Sequence, residues 1–127
     1  MKHILVIDDD PAVLSLFEQF LESEGFSVAL ALNGLEGILS LKQQKPDLII
    51  TDIMMPEMDG LELLMEIKKH HPEIPVIAIS GGMKIQPVNF LPQAKKFGAR
   101  HIFSKPIALS ELLAAVQELL NADAKDK

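Results

Sequence analysis

The chain has 127 residues, 48% of them apolar, with no cysteine and a net charge of −6. That length suits a single domain burying roughly two-thirds of its unfolded surface, and the composition excludes a disordered chain, a disulfide framework and a thiolate metal site. With no basic run, and six Phe but no Trp or Tyr, direct nucleic-acid binding through phosphate neutralisation or base stacking is not expected.

Ile4-Leu5-Val6-Ile7 is the first predicted strand. It is too short for the apolar core of a signal peptide, and no apolar run approaches the roughly 18 residues a membrane helix needs. A cytoplasmic protein without membrane contact is expected. Asp10-Pro11 reads as a helix N-cap followed by proline at the first helical position. Val13, Phe17, Phe20 and Leu21 follow at helical spacing, and Gly25 stops the helix. Val28 to Ala31 is a second strand. Asn33 caps a helix carrying Leu35, Ile38 and Leu39 that ends before Pro46, and Leu48-Ile49-Ile50 is the third strand. Asp59 caps a helix carrying Leu63, Leu64 and Ile67 that ends before Pro72, and Val76 to Ile79 is the fourth strand.

Gly81 to Phe97 carries Pro87 and Pro92, which break a regular helix, so a short or displaced fourth helix is expected there. Arg100 to Ser104 is a weaker fifth strand. Leu109, Leu112, Leu113, Val116, Leu119 and Leu120 then mark a clear amphipathic helix. The domain is expected to span 1–121, with 122–127 as a polar tail. His3, His70, His71 and His101 lack metal-ligand spacing and read as surface or helix-end residues, and the six Met read as packing.

Strand and helix thus alternate, and three of the strands are continuous Val/Ile/Leu-rich runs. This predicts an α/β fold with a parallel sheet buried between two helix layers. In such a doubly wound sheet, ligands bind outside the carboxyl ends of the strands. Asp8 and Asp9 fall at the end of the first strand, Asp52 at the end of the third, Ser80 at the end of the fourth, and Lys105-Pro106 after the fifth. Three carboxylates at one edge repel, since a pair of unit charges about 4 Å apart costs roughly 4 kcal/mol at an effective dielectric near 20. Lys105 offers one compensating charge. A hard divalent cation, Mg2+ or Mn2+, offers more and suits oxygen ligands. It would let a phosphate group approach Asp52, whose carboxylate could attack phosphorus, with Ser80 and Lys105 contacting phosphoryl oxygens.

The stretches Ile4 to Pro11, Asp47 to Gly60 and Lys105-Pro106 carry a resemblance to the receiver domains of bacterial two-component response regulators, running from about Lys2 to Leu120. The resemblance implies a flavodoxin-like five-stranded parallel sheet of order 2-1-3-4-5. It implies Asp52 as phosphoacceptor, with magnesium held by Asp8, Asp9, Asp52 and the backbone carbonyl of Met54. Ser80 is implied as the hydroxyl switch, Lys105 as the phosphate-binding lysine, and the Lys105–Pro106 bond as cis. The implied phosphodonor is a sensor histidine kinase or a histidine phosphotransfer protein. The downstream protein is unknown, and the expected state is a monomer or a weak phosphorylation-dependent dimer. Where the family often has Tyr or Phe, three residues before the lysine, this chain has Ile102, so an aromatic output switch is not expected at that position.

A stand-alone switch that catalyses only its own phosphorylation and dephosphorylation is the first reading. A receiver cut from a longer DNA-binding or enzymatic regulator is the second. A magnesium-dependent phosphohydrolase is a third, opposed by the absence of an acid two residues after Asp52, where Met54 stands. A flavodoxin-like flavin binder is a fourth, opposed by the acid cluster, because a flavin phosphate prefers hydroxyls and backbone amides.

Overall fold

A strand that is apolar on both faces has to be covered on both, and the arrangement of the helices follows from that. The computed structural model describes residues 2–52, 60–80, 98–104 and 107–125. Along the chain they form β1 (His3–Ile7), α1 (Pro11–Ser23), β2 (Ser27–Ala31), α2 (Gly34–Gln43), β3 (Leu48–Asp52), α3 (Gly60–His70), β4 (Val76–Ser80), β5 (His101–Ser104) and α4 (Leu109–Lys125). The sheet is parallel throughout, in the order β2-β1-β3-β4-β5. The fold class and strand order expected from the sequence are therefore observed.

The pleat divides the core in two. Leu5, Ile7 and Ile49 point to one side, where Leu41 of α2 and Leu63, Leu64 and Ile67 of α3 meet them. Ile4, Val6, Leu48 and Ile50 point to the other, against Leu14, Phe17 and Leu21 of α1 and Leu112, Val116 and Leu120 of α4. Every residue of β1 and β3 is buried, and each buried Leu, Ile or Val side chain among them contributes roughly 1.5–3 kcal/mol relative to exposure. These two central strands bring Asp8, Asp9 and Asp52 to the same sheet edge.

Local signals set the helix ends. Asp10 caps α1, its Oδ1 accepting from the Ala12 N–H at 2.9 Å, with Pro11 at the first position. α1 stops in a Schellman motif: the Gly25 N–H donates to the Glu22 carbonyl and the Phe26 N–H to the Leu21 carbonyl. Gly25 has φ +94°, a conformation open to glycine at little cost. Asn33 and Glu36 together cap α2 in a variant of the capping box, with Glu36 reaching the residue before the cap. Asn33 Oδ1 accepts from the Glu36 N–H at 2.9 Å, and Glu36 Oε1 accepts from the Leu32 N–H at 2.8 Å.

Several expectations are corrected. α2 does not bury Leu35 and Leu39, which are 53% and 59% exposed; its buried residues are Gly34, Gly37 and Leu41. Glycine lets this helix sit so close to β1 that a Cβ on Gly37 would meet Ile7 Cδ1 at 2.6 Å. His3 is not on the surface: it is buried at the start of β1, its Nδ1 3.2 Å from Ser27 Oγ. Met65 is exposed rather than packed. The helical backbone of α4 runs to Lys125, a point that leaves the expected polar character of 122–127 unchanged. The Asp59 cap and the short fourth helix expected between Gly81 and Phe97 lie outside the described residues.

Candidate functional site

The site begins where β1 runs out of buried apolar positions. Asp8 follows Ile7 directly and is only 1% exposed. Its main-chain N–H donates to the Ala31 carbonyl at 3.1 Å, tying it to the end of β2. Its Oδ1 accepts from the Asp10 N–H at 2.9 Å, so the turn into α1 fixes the carboxylate. Asp9 next to it is exposed. Asp52 is the last residue of β3, 2% exposed and level with Ile79 of β4. The buried Thr51 hydroxyl donates to the Asp52 carbonyl at 3.1 Å.

Asp8, Asp9 and Asp52 each offer a carboxylate oxygen, and these oxygens lie within 4.8 Å of one another. Two unit charges about 5 Å apart repel by roughly 3 kcal/mol at an effective dielectric near 20. Burying carboxylates in that proximity is favourable only with a compensating positive charge or proton. The donor set contains oxygen only, with no nitrogen or sulfur, and fits a hard divalent cation. The exposed Asp9 leaves one side of the cluster open to solvent. Among the described residues this is the one group of three or more His, Cys, Asp or Glu gathered closely enough to hold an ion.

The other predicted residues are placed by their elements. Ser80 ends β4, in register with Ser104 of β5, and Lys105 follows Ser104 in the chain. Lys105, Pro106 and Met54 fall outside the described residues. Ile102 is partly buried and packs on the side of the sheet that carries α2 and α3, while its neighbour Phe103 packs on the α1 and α4 side. Phe103 therefore faces away from the position Ile102 holds. Sequence reasoning missed the two main-chain contacts that fix Asp8. The Ala31 carbonyl contact leaves no trace in residue identity, whereas an Asp directly after a strand was an available signal for the contact with the N–H two residues on.

Residues 4–117 match the family model for the response regulator receiver domain. The transcriptional regulatory protein GlrR of Escherichia coli (strain K12) is 38% identical over 125 residues, which cover 96% of this chain and 27% of that protein. The probable C4-dicarboxylate response regulator DctR of Priestia megaterium is 37% identical over 124 residues, covering 96% of this chain and 53% of that one. The chain thus spans between about a quarter and about half of the length of these curated relatives. A crystal structure of a response regulator receiver domain protein from Clostridium thermocellum superimposes with a TM-score of 0.89 at 30% identity, covering both chains completely.

Proposed function

The chain belongs to the response regulator receiver domain family, and from that premise we propose that it is a switch phosphorylated on Asp52. The observation that supports this is the convergence of Asp8, Asp9 and Asp52 within 4.8 Å at the carboxyl edge of the sheet. In this reading a phosphohistidine on a sensor histidine kinase or a histidine phosphotransfer protein is the donor. A carboxylate oxygen of Asp52 attacks phosphorus, the P–N bond breaks, and the histidine nitrogen leaves with the electron pair. Asp8, Asp9, Asp52 and the Met54 carbonyl would hold Mg2+, which supplies positive charge against the phosphoryl oxygens. The Ser80 hydroxyl donates a hydrogen bond to one phosphoryl oxygen, and Lys105 pairs with another.

Members of this family are signalling switches rather than turnover enzymes. Phosphorylation here biases a two-state equilibrium beyond β4, and the output is a contact with another protein. The domain is taken as working alone and in the cytoplasm. The curated relatives are longer, and the length of the native gene product decides between a lone domain and one carrying an output module. At a net charge of −6, the domain is not itself read as DNA-binding. Among the described residues, no helix is long and apolar enough to cross a membrane.

Mass spectrometry after incubation with acetyl phosphate and Mg2+ tests the assignment. One phosphoryl group is expected on the wild-type chain and none on Asp52→Asn. An unmodified wild-type chain, or equal modification of Asp52→Asn, overturns it. Continuous release of inorganic phosphate at enzymatic rates would instead favour a hydrolase.

A further inference from the structure

Thr51 places a hydroxyl in the apolar core. β3 runs Leu48-Ile49-Ile50-Thr51-Asp52, and every position in it is buried. Thr51 itself is 0% exposed. Its register partners are Ile7 of β1 and Ala78 of β4, both buried and both apolar. Partners in a parallel register present their side chains to the same face of the sheet, and that face is the core shared with α2 and α3. Valine has the shape of threonine, suits a strand equally well and carries no hydroxyl. A buried hydroxyl is unfavourable unless it is hydrogen-bonded. The Thr51 hydroxyl donates at 3.1 Å to the Asp52 carbonyl.

That carbonyl sits where the sheet gives out. The ladder between β1 and β3 ends at the pair Ile7↔Thr51. Asp52 lies one residue beyond it, and β3 ends there. The hydroxyl therefore holds the peptide group that leaves Asp52 from within the strand. The orientation of that peptide fixes the Asp52 main chain and, through it, the aim of the Asp52 carboxylate toward Asp8 and Asp9. Resting on the reading of Asp52 as phosphoacceptor and metal ligand, we propose that Thr51 is a positioning residue for the acid cluster. Its hydroxyl keeps Asp52 in the conformation that lets the three carboxylates, whose oxygens lie within 4.8 Å of one another, serve one ion. Thr51 acts through Asp52 and not on the ion itself, because successive strand residues face opposite sides of the sheet. Loss of an outer partner that orients a ligand typically weakens metal binding about 10–100-fold. Here the bond is to the main chain of the ligand residue, so the lower end of that range, about tenfold, is expected.

Three measurements on the same variants test this: Mg2+ titration followed by amide NMR, the rate of phosphorylation by acetyl phosphate, and urea denaturation. Thr51→Val should fold with wild-type stability or better, yet bind Mg2+ about tenfold more weakly and accept the phosphoryl group more slowly. Thr51→Ser keeps the hydroxyl and gives up a buried methyl, so it should be less stable than wild type and still bind Mg2+ with near wild-type affinity. A threonine that only fills the core would move stability and leave Mg2+ affinity unchanged in both variants. Thr51→Val that binds Mg2+ as tightly as wild type overturns the proposal. So does a folded Thr51→Ser chain weakened about tenfold in Mg2+ binding, whatever becomes of the valine variant. A wild-type chain that neither binds Mg2+ nor gains a phosphoryl group removes the role of Asp52 and this inference with it. A wild-type chain that does both, beside an unaffected Thr51→Val, removes this inference alone.

Discussion

Gly37 is a residue whose small size fixes the distance between two elements. An alanine there gains about 1 kcal/mol of helix propensity but brings a methyl to 2.6 Å from Ile7 Cδ1. Overpacking typically costs about 1–3 kcal/mol. Ile7 is only 1% exposed and has little room to turn aside, so the clash outweighs the propensity. Gly37→Ala should therefore lose about 1 kcal/mol in urea denaturation, and a gain would show that Ile7 rotates freely. Chemistry supplies a second prediction at this scale. Met54 stands two residues after Asp52 and has no polar side-chain group to orient a hydrolytic water. A long-lived aspartyl phosphate is expected, shortened in Met54→Asn. Decay within seconds at pH 7 with Mg2+, unchanged by the substitution, would refute this.

Among the elements, α2 shows how local and tertiary signals divide the work. Its start is set by the Asn33–Glu36 box, which needs no partner outside the segment. Asn33→Ala should cost about 1 kcal/mol in thermal or urea melts, and Asn33→Asp, which keeps the accepting oxygen, should cost much less. Its buried face was misread. Leu35, Ile38 and Leu39 satisfy helical periodicity, yet the sheet takes the stripe of Gly34, Gly37 and Leu41, with Ile38 partly buried. Periodicity weighs apolar mass, whereas the sheet selected the face that allows the closest approach. α1, α3 and α4 were read more accurately because their heaviest apolar stripe is also the one that fits: Phe17 and Leu21, then Leu63, Leu64 and Ile67, then Leu112, Val116 and Leu120.

For the molecule as a whole, an acid cluster at the sheet edge links cation binding to stability. A ligand that binds only the folded state stabilises it by about 2.7 kcal/mol at a hundred times its Kd. Mg2+ at neutral pH should therefore raise the melting temperature of the wild-type chain. Asp9→Asn, a change at an exposed residue that leaves the core intact, should remove most of that rise, while an equal concentration of Na+ should not reproduce it. An equal Mg2+ effect on wild type and Asp9→Asn would show that the three carboxylates do not act as one site.

Sequence alone determined the order of elements, the parallel sheet and the end of the strand at which each acid falls. These follow from short-range facts: runs of Val and Ile that cannot face water, caps and glycines that stop helices, and polar residues that begin where a strand ends. The placement of Asp8, Asp9 and Asp52 was legible for the same reason, since parallel strands align their carboxyl ends. Tertiary structure alone decided that their oxygens approach within 4.8 Å, that the Asp10 N–H and the Ala31 carbonyl hold Asp8 in place, that His3 is buried, and that the leucines of α2 face outward. Apart from the Asp10–Asp8 contact, which is local to one turn, each of these depends on how closely two elements far apart in the chain can approach. That distance is set by the packing of whole faces, and no local pattern of residues encodes it.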